Sequence, residues 1–124
     1  SGRWVFVVNL PRYAGGLNLA PRANGVDGLL DVCVFERGSL ATGLWYLSRV
    51  LWGTHTSMPG FHTLQTRTVR IAAESTTYFQ CDGDPGGELP VQVETSPARL
   101  TLLVDETWAA EQQCSADKTT LPIN

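Results

Sequence analysis

The chain has 124 residues and a mass of 13.5 kDa, which is one domain's worth of polypeptide. Apolar residues make 43% without Gly and charged residues only 17%, against a usual ~25%. That composition excludes disorder driven by charge, and a formal net charge of −3 excludes a polyelectrolyte surface for nucleic acid.

Trp4-Val5-Phe6-Val7-Val8 is β-branched and aromatic, the composition of a strand buried on both faces. Next comes Tyr13-Ala14-Gly15-Gly16-Leu17-Asn18-Leu19-Ala20-Pro21, whose paired glycines mark a bulge or sharp turn. Residues 22–28 are dense in turn formers and feed a second apolar strand over 29–35. Residues 39–52 predict the one helix. Ser39 is a good N-cap, Leu40, Leu44, Leu47 and Leu51 recur at spacings of four, three and four, and Gly53 supplies the stop. Trp45 and Trp52 widen this stripe, which is expected to face the core.

Further strands are expected over 67–73, 76–81, 90–94 and 100–104, with 82–87 as a turn. Pro90 takes a tolerated place at the start of its strand. From Asp105 the chain is polar, and 105–124 predicts a fraying tail anchored only by Trp108. Short strands, one helix and 12 Gly with 7 Pro give the expected fold class. It is mainly β, an antiparallel β-sandwich with one short helix over about 39–52.

Charge is segregated along the chain. Residues 1–73 hold seven Arg against Asp27, Asp31 and Glu36, a net of +4, and residues 74–124 carry −7. Solvated strand faces explain this more simply than a phosphate-facing patch. Three cysteines, Cys33, Cys81 and Cys114, with no C-x-x-C pair, fit neither a disulfide framework nor a zinc ribbon. A reducing compartment is the simpler expectation, with one Cys33–Cys81 bridge left open. No run approaches the ~18 apolar residues of a membrane span.

Two constellations could carry chemistry. Asp27-Gly28-Leu29-Leu30-Asp31 places carboxylates in a glycine-bearing turn with carbonyls free to point inward, the oxygen set of Ca²⁺ or Mg²⁺. Turn composition alone favours an Asp capping its own turn. Asp82-Gly83-Asp84, with Glu88 nearby, sets three acids at a strand end. Asp82 and Asp84 share a face if the strand continues, and paired carboxylates suit general-base work. A polar hairpin turn is the plainer reading. His55 and His62 lack partner ligands, so each is expected on a loop rather than at zinc.

The order of Asn9, Gly15-Gly16-Leu17-Asn18-Leu19-Ala20-Pro21, Asp27-Gly28-Leu29-Leu30-Asp31-Val32, Leu47…Leu51-Trp52-Gly53-Thr54-His55 and Gln80-Cys81-Asp82-Gly83-Asp84-Pro85 carries a resemblance. The chain resembles the C-terminal domain of the diacylglycerol kinase-like lipid kinases. This family holds bacterial diacylglycerol kinases, YegS-type kinases, sphingosine kinases and ceramide kinase. The resemblance implies a two-domain enzyme that phosphorylates a lipid hydroxyl, diacylglycerol- or sphingosine-like, in a cleft between the domains.

ATP and Mg²⁺ would be held by an N-terminal domain with a Gly-Gly-Asp-Gly-Thr loop, a sequence this chain lacks. Residues 1–104 are then a partial C-terminal domain, inactive alone, cytoplasmic or peripheral at the membrane. With strands missing ahead of Trp4–Val8, that strand becomes an edge prone to self-association.

Carried over, one structural divalent cation falls on the Asp27 side chain and the carbonyls of Asn24 and Leu29. The family's Asp-Gly-Glu, whose Glu is the proton acceptor, falls on Asp82-Gly83-Asp84. Asp84 then stands one methylene shorter than usual, with Glu88 as the substitute. A divalent-cation-stabilised binding module for carbohydrate or protein is the competing function. A glycosidase on Asp82 and Asp84 would need a deeper cleft than 124 residues supply.

Overall fold

The computed structural model describes residues 1–14, 16–97, 101 and 103–110. In chain order these form β1 (Trp4–Val8), β2 (Arg12–Tyr13), β3 (Leu17–Asn18), β4 (Leu30–Phe35), α1 (Leu40–Leu51), a 3-10 turn (His55–Ser57), β5 (Phe61–Thr66), β6 (Thr68–Ile71), β7 (Tyr78–Cys81), β8 (Asp84–Glu88) and β9 (Val91–Glu94). All strand pairs are antiparallel: a three-stranded sheet in the order β1-β4-β5, and ribbons β2-β3, β6-β9 and β7-β8. The chain is mainly β and sandwich-like, as composition and turn density require.

β4 lies at the centre of its sheet, and five of its six residues are buried. Register sets Phe6 opposite Cys33, and Trp4 opposite Phe35, which in turn faces Phe61. These side chains share one face, because strand partners point the same way. Phe35 is the hub, with ring centroids of Tyr46 and Phe61 at 4.8 Å and of Phe6 at 6.0 Å.

Val5, Val7, Val32 and Val34 take the opposite face. Here an open cleft of about 1220 Å³ separates β1 from the β6-β9 and β7-β8 ribbons, lined among others by Val5, Val7, Ile71, Phe79 and Val91. The expectation that β1 is buried on both faces fails for this reason. It is an edge strand, with Trp4 and Val5 exposed.

The helix begins at its expected cap, where Ser39 Oγ accepts from the Thr42 amide at 3.2 Å. Its orientation corrects the sequence reading. Leu40, Leu44, Leu51 and Trp52 are 82, 61, 66 and 75% exposed, while Gly43, Tyr46 and Val50 are buried. Gly43 decides the side, since a Cβ there would sit 3.0 Å from the Trp4 ring. The helix packs on β3 and the 3-10 turn, with the Trp4 ring against Gly43, and Tyr46 sets its ring at a tilt against Phe35 while its hydroxyl accepts from the Arg37 amide at 3.3 Å.

β5 was not expected; Phe61-His62-Thr63-Leu64-Gln65-Thr66 has only two large apolar residues, and pairing with β4 holds it. Positions 100 and 102 of the strand expected over 100–104 lie outside the described residues, and 101, 103 and 104 are not in a strand. Of the tail expected to fray, residues 106–110 are helical. Asp105 caps them, accepting from Thr107 Oγ1 and from the Trp108 amide, bonds that hold its carboxyl below the usual range. Gly15, Cys114 and the rest of 111–124 lie outside the described residues.

Cys33 is buried and Cys81 exposed, and no bridge joins them. Burial first, and then the Asp31 carboxylate, pushes the Cys33 thiol up to about 11. Thiolate is the reactive form. At pH 8, alkylation followed by peptide mapping is expected to label Cys81 within minutes and to spare Cys33 until the chain is denatured. Equal labelling of both in the folded chain would contradict this packing.

Candidate functional site

The loop 24–29 combines the two readings that sequence left open. Asn24 is buried, and its Oδ1 accepts from the Val26 amide at 3.1 Å. Asp27 Oδ1 accepts from the Leu29 amide at 2.8 Å. Both are Asx turns, as turn composition favours. The second carboxylate oxygen is different: Asp27 Oδ2 is buried and has no hydrogen-bond partner. A buried, orphaned carboxylate oxygen in a curved loop fits a hard divalent cation.

Asp31, at the start of β4, adds to that need. It is 3% exposed and accepts from Gln65 Nε2 at 3.3 Å. Burial raises its carboxyl above the usual range, and the Asp27 charge raises it further, while the Gln65 bond opposes them. Among the described residues no three His, Cys, Asp or Glu side chains form a metal cluster. The donors at this loop are thus one carboxylate and backbone carbonyls.

Asp82 and Gly83 are the two central residues of the β7-β8 hairpin, with φ of 52° and 100°. Asp-Gly suits a tight hairpin because Gly and Asp tolerate this left-handed backbone. The turn corrects one expectation. Asp82 sits on the bend rather than in a strand, so it does not share a strand face with Asp84. Asp84 opens β8 opposite Cys81, and Glu88 ends it opposite Tyr78. Positions 81 and 78 are three apart, so a register shift beside Phe79 leaves Asp84 and Glu88 on opposite faces. All three acids are exposed.

One contact ties this hairpin to the body. Gln80 Nε2 donates to the Tyr13 hydroxyl at 3.2 Å. The Tyr13 ring packs edge-on against Phe6 at 5.8 Å and walls a cavity of about 100 Å³. Phe6, Leu17, Tyr46, Leu47 and Val50 also line it, and its wall is apolar throughout. The acidic turn thus stands two residues from a side chain bonded to the rim of an apolar pocket.

Sequence reasoning missed Tyr13 and Gln80, which are 67 positions apart and show no shared pattern. It also placed His55 on a loop. His55 is instead fully buried in the 3-10 turn, where its Nε2–H donates to the Leu19 carbonyl at 2.9 Å and its ring meets Phe61 at 5.1 Å. Cys33 Sγ reaches the same carbonyl at 3.8 Å. His55 therefore pins the loop after β3 to the core. His62 is exposed and bonds Glu36 at 3.0 Å.

The fold and site define a mainly antiparallel, sandwich-like domain with a buried, unpartnered carboxylate oxygen in one loop, an apolar pocket and an acidic hairpin. The family model described as "YegS C-terminal NAD kinase beta sandwich-like domain" matches residues 1–104, and the chain belongs to that family. It is similar to a protein of Bacillus subtilis (strain 168) described as "Putative lipid kinase YtlR", 29% identical over 100 residues, or 80% of this chain and 32% of the relative. It is also similar to a "Diacylglycerol kinase" of Mycobacterium tuberculosis, 30% identical over 95 residues, or 77% of this chain and 30% of the relative. The chain thus spans about a third of the length of the curated relatives it matches.

Proposed function

We propose that this chain is the lipid-side domain of an ATP-dependent kinase acting on a lipid hydroxyl, diacylglycerol- or sphingosine-like. The observation that carries the reading is the contact from Gln80 to Tyr13, which sets an acidic turn beside an apolar pocket. An acyl chain would enter the pocket, where burial of each CH₂ contributes about 0.8 kcal/mol. The lipid hydroxyl would then lie near the hairpin.

Phosphoryl transfer requires positioning, neutralised charge and a carboxylate to take the hydroxyl proton. Asp84 is that base. Asp82 shapes the turn, and Glu88 stands at the far end of β8, four residues from Asp84. The nucleotide and its Mg²⁺ belong to an ATP-binding partner domain, so this chain by itself neither binds ATP tightly nor turns it over. The enzyme works in the cytoplasm at a membrane surface. No helix among the described residues is long and apolar enough to cross a membrane.

A structural divalent ion fits at Asp27 Oδ2, with the carbonyls of Asn24 and Leu29 as further oxygen donors and water for the rest. When bound, it neutralises charge beside Asp31 and holds the loop entering β4. The expected result is a melting temperature that rises several degrees with millimolar Mg²⁺ or Ca²⁺, because a ligand that binds only the folded state stabilises it by mass action. Asp27→Asn should abolish that rise while leaving the Asx bond to Leu29. An equal rise in the variant would remove the ion from this loop.

The kinase reading is tested by transfer of labelled phosphate from ATP to diacylglycerol and sphingosine, using the reading frame that contains this chain. Label in neither lipid would overturn it.

A further inference from the structure

From the outward face of α1 we infer a docking surface for an anionic lipid bilayer. Helix α1 turns its apolar stripe away from the core: Leu40, Leu44, Leu51 and Trp52 are more than half exposed, and Trp45 and Leu47 nearly so. At 100° per residue, these side chains and Ala41 cover roughly 160° of the helix circumference. The one polar residue in that arc is Ser48, and its hydroxyl is spent on the Trp45 carbonyl at 2.7 Å. A continuous apolar arc of this width on a small domain marks an interaction site.

The charges around it select the occupant. No acid occurs between Glu36 and Glu74, so the helix and its immediate flanks carry only the charges of Arg37 and Arg49. Arg3 packs against Gly38 just ahead of the helix, and Arg49 lies within it. Glu36 is engaged by His62, and no other ion pair occurs among the described residues. Leu along one side of the arc, Trp along the other and Arg49 just beyond the Trp margin suit a helix lying in a membrane interface. Phosphate headgroups would supply the anions these arginines lack. A second copy would instead bring Arg to Arg across a two-fold axis, with no acid to pair them.

The surface extends the lipid-kinase reading, because the pocket wall at Leu47 and Val50 belongs to the same helix. Its test needs neither ATP nor turnover. The 124-residue chain is mixed with vesicles of phosphatidylcholine alone or with an equal part of phosphatidylglycerol, and bound protein is measured by flotation. Binding is expected to be at least about tenfold stronger to the anionic vesicles and to weaken with salt.

Leu44→Ser with Trp52→Ser should lower vesicle affinity about a hundredfold, about tenfold for each buried side chain lost. Leu64→Ser, an exposed apolar residue on β5, should stay within about twofold. Unchanged near-ultraviolet dichroism shows that the variants fold. As a second measure, acyl chains brominated near the headgroup should quench the wild-type tryptophan emission, and Trp45→Phe with Trp52→Phe should remove most of that quenching without releasing the protein.

Absence of anionic vesicle binding, or binding untouched by the double Ser variant, would overturn the inference. So would sedimentation showing that these substitutions only dissolve a dimer, or that they only release a protein partner. No vesicle binding by the wild-type chain, with phosphorylation of a dispersed short-chain lipid by the protein that carries it, would sink the docking surface alone. Vesicle binding without phosphoryl transfer would sink the kinase reading alone.

Discussion

If the proposed lipid-kinase reading holds, Asp84→Asn in the full-length protein is expected to lower turnover by about 10² to 10⁴, the usual worth of a positioned general base. The fold should persist, because residue 84 is exposed and the amide has nearly the volume of the carboxylate. KM for ATP should stay within about twofold, since on that reading a separate domain holds the nucleotide and the lost interaction forms only in the transition state.

Two companion variants sharpen the result. Glu88→Gln should be close to wild type, because Glu88 stands at the far end of β8, four residues from the turn-end position of Asp84. Asp82→Asn should keep the hairpin, since Asn tolerates the positive φ of 52° that residue 82 adopts. Steady-state kinetics with diacylglycerol or sphingosine reads all three. Full activity in Asp84→Asn with loss in Glu88→Gln would move the base to Glu88. Full activity in both would leave the hairpin a structural element.

Phe35→Ala is expected to cost about 3–5 kcal/mol of folding stability. Phe35 is 2% exposed and touches the rings of Phe6, Tyr46 and Phe61, so its removal opens a cavity bounded by three elements that cannot all close on it. Domains of this size are stable by only about 5–15 kcal/mol, so the melting temperature should fall by more than about 10 °C. Leu44→Ala is the contrasting case. At 61% exposure it should shift stability by no more than about 0.5 kcal/mol. Thermal unfolding followed by circular dichroism measures both. A large loss in Leu44→Ala would turn the helix over and return its Leu stripe to the core.

The strands and the helix were legible where local chemistry is strong. β1 and α1 begin and end within a residue of the positions their composition and caps indicate, because β-branched runs and a Ser N-cap act over a few neighbouring residues. β5 was not legible, since its polar alternation is compatible with a loop until β4 offers six register partners. The candidate residues Asn24, Asp27, Leu29, Asp82, Asp84 and Glu88 came from motif order, which says what side chains are present but not what surrounds them.

What sequence alone determined is the class: a mainly β domain with the helix α1, its family resemblance and the two acidic turns. Each follows from short-range pattern, turn residues or motif spacing. Tertiary structure decided which way those elements face. The Leu stripe of α1 has the right period for a core, yet Gly43 admits the Trp4 ring and fixes the opposite side inward. The register shift in β7-β8 separates Asp84 from Glu88, and the Gln80–Tyr13 bond joins residues 67 positions apart. Periodicity repeats every few residues and fixes the spacing of a face. Only contacts between distant segments choose which face is buried.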